Sequence, residues 1–279
     1  MTAAEPWQRW LPLSRRTVRI FVVGGIRNRV DARSVTTRGF AVLEAFTPEC
    51  PTLTLSEVAR RAALPLTTAH RLVGELCTSG ALERDGDGTY RIGLRLWEIA
   101  SLAPRGVPLR EAALPFLEDL YEVTHENVQL GVREGHEVLY IERIAGRQAV
   151  GVLTRVGGRF PLHASGIGLV LLAHAPKSVQ IDVLAGPLQR FTDHTITDPE
   201  RLRRKLAQVR RDGVAISDRQ VTVDAVSVAA PIFDAGGAVL AAVSIVSKAD
   251  GTDPARLVPA VRAAALGTSR ALRVRRAPV

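Results

Sequence analysis

The chain has 279 residues, of which 46% are hydrophobic and 23% charged, and its formal net charge at pH 7 is +9. This composition is typical of a globular protein with a hydrophobic core, and the length suggests about two domains. The longest apolar stretch, residues 225–246, is interrupted by Pro231, Asp234 and two glycines. It is therefore not a candidate transmembrane helix, and we expect no membrane partner.

Reactive side chains form no recognisable catalytic or metal-binding motif. Cys50 and Cys77 lack metal-ligand spacing, and the histidines include no H-x-x-x-H pair. The sequence also lacks a G-x-S-x-G elbow and a P-loop. We therefore expect no metal, no cofactor and no enzymatic activity. The cysteine usage fits a reducing compartment, and the N-terminus lacks a signal-peptide pattern, so we expect a cytoplasmic protein.

Residues 1–32 show no sustained hydrophobic periodicity and are predicted to be a disordered basic arm. Residues 1–33 contain seven arginines and only two acidic residues, Glu5 and Asp31. Residues 34–47 then carry apolar positions that predict a first helix.

Two short helices joined by a tight turn are predicted over residues 55–82. Ser56 is the predicted cap of the first helix, and Pro65 ends it, because the residue before a proline is pushed out of the α region. Thr67 is the predicted N-cap of the second helix, and Gly80 stops that helix. Residues 83–92 place two glycines among polar residues before an apolar strand, which predicts a hairpin.

This order of helices and hairpin predicts a winged helix-turn-helix over residues 33–93, with double-stranded DNA as the partner and the second helix in the major groove. A helical hairpin in an ordinary core is the alternative. Residues 34–92 carry six arginines against seven acidic residues, so phosphate contacts would depend on a few placed side chains. The predicted DNA-binding residues are Ser56, Arg60, Thr67, Thr68, His70, Arg71, Arg84 and Arg91.

A second domain is predicted over residues 109–275, after a linker helix within residues 94–108 that Pro104 and Pro108 interrupt. Its predicted elements are helices over residues 109–123, 166–175, 202–209 and 254–272, and strands over 128–132, 138–141, 151–154, 226–233 and 239–246. This order indicates an α+β domain with an antiparallel sheet.

The sequence resembles the IclR-type bacterial transcriptional regulators over about residues 34–270. Short motifs fall in the order of that family, among them Leu55-Ser-Glu-Val-Ala-Arg60, Thr68-Ala-His-Arg-Leu72 and Tyr90-Arg-Ile-Gly93. Further motifs lie at residues 43–46, 80–84, 156–166, 195–197, 209–213 and 228–234. The resemblance implies a winged helix-turn-helix, a linker helix and a C-terminal GAF-like α/β effector-binding domain. It also implies a homodimer or a dimer of dimers on a palindromic operator.

Carried over by position, the resemblance implies an effector pocket that includes Phe160, Gly166, Ile167, Ser217, Ser227 and Ser244. The residues themselves add two arguments. A helix that opens with small residues at Gly166 favours an anionic ligand group, because its first N–H groups are free. Ser227 and Ser244 lie on otherwise apolar strands, where a buried hydroxyl needs a partner. A hydrogen bond to local backbone is the alternative for each serine.

Several residues depart from the family pattern. Leu66 stands where the turn before the recognition helix usually carries a lysine, and Asp224 stands where a glycine is expected. Residues 216–220 also differ, so we expect the ligand to be recognised differently from that of carboxylate-sensing members. The predicted function is a repressor whose operator affinity is controlled by a small organic or aromatic acid. An architectural DNA-binding protein with a degenerate sensor domain is the alternative.

Overall fold

The computed structural model describes residues 34–146 and 149–274, which form two compact units that divide between Trp97 and Glu98. The predicted arm over residues 1–32 lies outside the described residues. Of the helices that are described, none has the length and apolar character needed to span a bilayer.

The N-terminal unit contains three helices and a small antiparallel sheet. The helices are α1 (Val35–Leu43), α2 (Leu55–Ala62) and α3 (Leu66–Thr78); the strands are β1 (Thr52–Leu53), β2 (Leu82–Arg84) and β3 (Tyr90–Ile92), in the sheet order β1-β3-β2. Apolar side chains of all three helices, including Val42, Val58 and Leu72, pack into one core. The predicted hairpin is confirmed as the β2–β3 wing.

The caps of both motif helices were predicted at the wrong residues. Thr54 is the N-cap of α2, because its hydroxyl accepts from the Glu57 amide while the Glu57 carboxylate accepts from the Thr54 amide. This capping box leaves Ser56 exposed inside the first turn. The α3 helix begins at Leu66, directly after Pro65, so Thr67 is not its cap. A proline with its fixed φ just before a helix already sets the entry geometry.

The C-terminal unit is built on one six-stranded antiparallel sheet in the order β6-β5-β4-β9-β8-β7. Its strands are β4 (Asn127–Glu134), β5 (Glu137–Ile144), β6 (Arg159–Pro161), β7 (Ala215–Asp218), β8 (Ala225–Phe233) and β9 (Val239–Lys248). The helices that follow the wing along the chain are α4 (Leu94–Ala100), α5 (Val107–Thr124), α6 (Gly166–Ala173), α7 (Lys177–Ala185), α8 (Pro199–Asp212) and α9 (Pro254–Val274).

Alternate residues of the strands point to opposite faces of this sheet, and each face packs on helices. Val228 and Val243 lie on the face covered by α5 and α9. Ala229 and Ala242 lie on the other face, with the apolar residues of α6 and α8. Ser227 and Ser244 share the α6 face with these alanines, because they lie two residues away along the same strands.

The central hairpins and long helices of this unit are confirmed with small changes of boundary. The prediction of a strand over residues 151–154 is wrong, because that segment is a loop; the Thr154 carbonyl accepts a hydrogen bond from the Arg143 side chain instead of from a neighbouring strand. The short elements β6, α7 and β7 were not predicted.

Candidate functional site

The exposed side of α3 presents the side chains predicted to contact DNA. Thr67, His70 and Arg71 are exposed and Thr68 is half-buried, while the alternate face of α3 packs into the core. The helix therefore offers hydroxyl, imidazole and guanidinium groups from its first two turns. This is the end that a helix-turn-helix inserts into the major groove.

Arginines around this helix differ in how far they are already paired. Arg71 forms an ion pair with Glu75, one turn along α3. Arg60 is exposed on α2. Arg84 lies on the wing, with its guanidinium carbon 5.7 Å from the centre of the Tyr90 ring. All three arginines are exposed, and Arg71 would have to leave or share its carboxylate partner to bind another anion.

Arg91 is held on the wing by two carboxylates. It bonds to Glu83 at 2.9 Å and also pairs with Asp85. The hydrogen bond to Glu83 and the charge of Asp85 raise the pKa of Arg91. Because its charge is neutralised within the hairpin, Arg91 is better placed to brace the wing than to attract a phosphate.

A cavity lies on the α6 face of the large sheet; its enclosed volume is about 40 Å³, and the volume is about 440 Å³ when the space open to solvent is included. The enclosed part is smaller than the usual small-molecule pocket, which holds about 300 Å³ or more. Its walls are the sheet, the start of α6 and the loops over residues 152–154 and 220–222. The lining residues are Gln129, Tyr140, Val152, Leu153, Thr154, Ser165, Ile167, Ser217, Gln220, Val221, Thr222, Ala225, Ser227, Ser244 and Val246.

Strand register brings the polar lining residues together. Ser244 on β9 is paired with Gln129 on β4 on one side and with Ala229 on the other. Ser217 on β7 is paired with Ser227 on β8, one row further along the sheet. None of the cavity's described lining residues has a charged side chain. Recognition of a ligand there would depend on hydroxyls, amides and the dipole at the start of α6.

The three predicted serines have different hydrogen-bonding states. Ser217 Oγ donates to the Ala164 carbonyl at 2.9 Å. Ser227 is half-buried and borders the start of α6. Ser244 is only 1% exposed, and its Oγ has no hydrogen-bond partner among the described residues. A buried hydroxyl without a hydrogen-bond partner destabilises the folded protein. Ser244 is therefore the lining residue whose side chain would gain most from a hydrogen bond to a ligand.

The start of α6 closes one wall of the cavity. Ser165 caps the helix, because its Oγ accepts from the Gly168 amide at 3.0 Å. A Cβ at Gly166 would lie 2.6 Å from Ser227 Oγ, so a larger residue there would require the Ser227 side chain or the helix to shift. Burial raises the pKa of Tyr140 to about 12, and its hydroxyl also bonds to Ser165. Tyr140 therefore remains a neutral hydrogen-bond donor at the cavity.

Two predicted pocket residues lie outside the lining. Gly166 contributes the close approach of α6 but does not line the cavity itself. Phe160 on β6 is buried in the core, where its ring stacks on Phe191 with centroids 4.7 Å apart. The structure therefore brings together Ile167, Ser217, Ser227 and Ser244 but separates Phe160 from them.

Sequence reasoning missed several lining residues. Gln129 stands among apolar residues on a predicted strand, and that signal resembles the one that singled out Ser227 and Ser244. Tyr140 also lies on a predicted strand. The lining residues of the two loops carried no such signal, because side-chain contacts far apart in sequence bring those loops to the cavity. Within residues 34–146 and 149–274, no cluster of three or more His, Cys, Asp or Glu side chains could hold a metal ion.

Comparison with known proteins accounts for both units. The IclR helix-turn-helix domain matches residues 35–86, and the bacterial transcriptional regulator IclR C-terminal domain matches residues 103–270. The chain belongs to the IclR family of bacterial transcriptional regulators. It is a DNA-binding regulator with a C-terminal ligand-binding domain and not an enzyme.

Relatives from this family match most of the chain. The HTH-type transcriptional regulator KipR of Bacillus subtilis (strain 168) is 33% identical over 209 residues, which cover 75% of this chain and 83% of KipR. The HTH-type transcriptional repressor AllR of Klebsiella pneumoniae is 31% identical over 223 residues, which cover 79% of this chain and 82% of AllR.

A solved structure gives a further match over both units. It is an IclR homologue from Microbacterium hydrocarbonoxydans complexed with 4-hydroxybenzoate. That protein is 42% identical, with a TM-score of 0.83, and the match covers 86% of this chain and all of that one.

Proposed function

We propose that this IclR-family protein is a sequence-specific repressor whose affinity for its operator is controlled by a small organic or aromatic acid bound in the C-terminal cavity. The observation that carries the sensing part is the buried, unpartnered hydroxyl of Ser244 on the cavity wall. A ligand polar group would satisfy it. The complex of the Microbacterium homologue with 4-hydroxybenzoate supports an aromatic acid of about the size of 4-hydroxybenzoate as the ligand.

The start of α6 is the proposed site for the acid group. The first amides of a helix have no intrahelical acceptor, and the helix dipole favours negative charge there. Ser165 occupies the Gly168 amide, so the amide of the lining residue Ile167 is the one that would meet a carboxylate. Tyr140 and Ser227 stand close enough to this helix start to add hydroxyl contacts.

Thr67, Thr68, His70 and Arg71 are the proposed readers of base edges or nearby phosphates. Arg60 and Arg84 are the proposed backbone contacts, and Arg91 and Ser56 now have weaker support for direct contact. The protein would act in the cytoplasm as a homodimer or a dimer of dimers on a palindromic operator. The similarity to the repressor AllR supports the proposed sign of regulation.

Titration of the full-length protein with duplex DNA tests the proposed recognition helix. The Arg71→Ala variant should lose selectivity for the operator over a scrambled duplex, with folding unchanged. The matched control is Glu75→Ala, which removes the carboxylate that pairs with Arg71 and should not weaken binding. Equal affinity and equal selectivity in wild type and Arg71→Ala would contradict the assigned role of this arginine, whereas weaker binding to both duplexes would assign it to a phosphate.

A further inference from the structure

Residues 149–154, here called the strap, cover one side of the cavity without belonging to the sheet. Val152, Leu153 and Thr154 line the cavity from the strap. Leu153 is 65% exposed, so an apolar side chain stands at the mouth in contact with solvent. The strap therefore forms part of the rim where the cavity meets solvent.

Polar side chains from two sheet strands hold the strap in place. Asn127 Nδ2 donates to the Val150 carbonyl at 2.8 Å, and Gln129 Nε2 donates to Thr154 Oγ1 at 2.6 Å. Arg143 Nη1 donates to the Thr154 carbonyl at 3.3 Å, while Nη2 donates to Asn127 Oδ1 at 3.0 Å. The Arg143 guanidinium thus bridges a strand side chain and the strap backbone.

Arg143 is a cation, but the groups it is described as bonding to, Asn127 Oδ1 and the Thr154 carbonyl, are neutral oxygens. The neighbouring carboxylate of Glu142 instead pairs with Arg110 and accepts from the backbone amide of Arg143. Partial burial lowers the pKa of Arg143, because desolvation disfavours its charged form. Opening the strap would return the Arg143 guanidinium to water. The hydration free energy gained would offset part of the free energy lost when its hydrogen bonds to the strap break.

Apolar anchoring of the strap is small. Val150 packs in a cluster with Ala225 and Val246, and Val152 packs against that cluster. This cluster is separate from the two large cores on the faces of the sheet. A segment with few buried apolar contacts and polar anchors that water can replace opens more readily than the sheet below it.

We propose that the strap is the gate through which the effector enters and leaves, and that Arg143 is a positioning residue that latches it shut. This inference rests on the proposed function of the cavity as an effector site. Asn127 and Gln129 complete the latch. The closed gate buries Ser244, and the open gate exposes it.

Chemical labelling of a cysteine at position 244 tests the gate without any effector. The parent is the full-length chain with Cys50→Ala, Cys77→Ala and Ser244→Cys, treated with a thiol-reactive disulfide. Arg143→Leu should raise the labelling rate by at least about tenfold, because a hydrogen bond from a charged donor contributes that much to an opening equilibrium. Arg159→Leu is the matched control, since its described ion pair is with Glu137 at the neighbouring strand.

Thr154→Val supplies a second test if Arg143→Leu is poorly folded. It keeps the side-chain shape, removes the oxygen that accepts from Gln129, and should also speed labelling. Rates equal to the parent in folded Arg143→Leu and Thr154→Val would overturn the proposal, because the strap would then be a fixed wall.

Ligand kinetics separate a latch from a purely structural role. In the chain with Ser244 intact, Arg143→Leu should raise the association and dissociation rates of 4-hydroxybenzoate together, with a smaller change in Kd. A loss of affinity through the dissociation rate alone would contradict the gate. If 4-hydroxybenzoate does not bind, it is not the effector and that part of the proposed function is refuted. The labelling rates would still show whether the strap acts as a gate.

Discussion

Replacing Ser244 with alanine is expected to stabilise the ligand-free protein, although it removes a polar side chain from a strand. Ser244 Oγ is buried and has no hydrogen-bond partner among the described residues. A buried hydroxyl left in this state costs about 1–3 kcal/mol. Removing the hydroxyl relieves that cost, so the free energy of unfolding of Ser244→Ala should exceed that of wild type.

Ser217→Ala is the matched control for this prediction. Its Oγ lies on the same face of the sheet but donates to the Ala164 carbonyl. Loss of a satisfied hydrogen bond costs about 0.5–1.5 kcal/mol and leaves that carbonyl without this donor. The two variants should therefore differ by about 3 kcal/mol, with opposite signs relative to wild type.

Thermal unfolding of the full-length variants measures this difference. For a domain of 150–250 residues, about 3 kcal/mol corresponds to a Tm difference of roughly 6–12 °C. Ser244→Ala should also weaken binding of 4-hydroxybenzoate, measured by calorimetry. A Ser244→Ala variant that is as destabilised as Ser217→Ala would refute the reasoning, because the hydroxyl would then have a partner in the ligand-free protein.

Three further predictions concern the cap, the recognition helix and a buried phenol. Thr54→Ala should lower the free energy of unfolding by about 1 kcal/mol, whereas Ser56→Ala should stay within about 0.5 kcal/mol; denaturant titration of the N-terminal unit's unfolding would distinguish them. Leu66→Lys adds a cation at a position that is 53% exposed. The slope of log affinity for duplex DNA against log salt concentration should then steepen by about one. An unchanged slope would place residue 66 away from the DNA phosphates. In the folded protein the pKa of Tyr140 is raised from 10.0 to about 12, so the stability that its neutral phenol contributes is complete below pH 10 and is lost as the pH rises to about 12. Tyr140→Phe should therefore reduce the loss of stability between pH 10 and about 12. Identical plots of unfolding free energy against pH for the variant and wild type would contradict the shift.

Much of the fold follows from local patterns. The hairpin strands β4–β5 and β8–β9 were predicted because apolar runs are separated by glycine-containing turns. Ser227 and Ser244 were singled out because each is a hydroxyl on an otherwise apolar strand, and both lie on the α6 face and line the cavity. These signals are carried by neighbours in sequence, so periodicity is enough to find them.

Other parts of the site depend on contacts that periodicity does not contain. The strap was mistaken for a strand because its residues are apolar, whereas side chains of Asn127 and Arg143 determine its path. Resemblance placed Phe160 in the pocket, but its ring stacks on Phe191 instead. Thr54 rather than Ser56 caps α2, because Glu57 stands three residues after Thr54 and completes the capping box.

We propose that ligand binding in the cavity is coupled to operator binding by the N-terminal unit. Fluorescence anisotropy with a duplex from upstream of its own gene, at two salt concentrations and with a scrambled control, tests it with and without 4-hydroxybenzoate. We expect selective binding that the acid weakens by about 5–150-fold, as is typical of allosteric coupling. Equal binding to both duplexes that disappears at higher salt, with no response to the acid, would contradict the account.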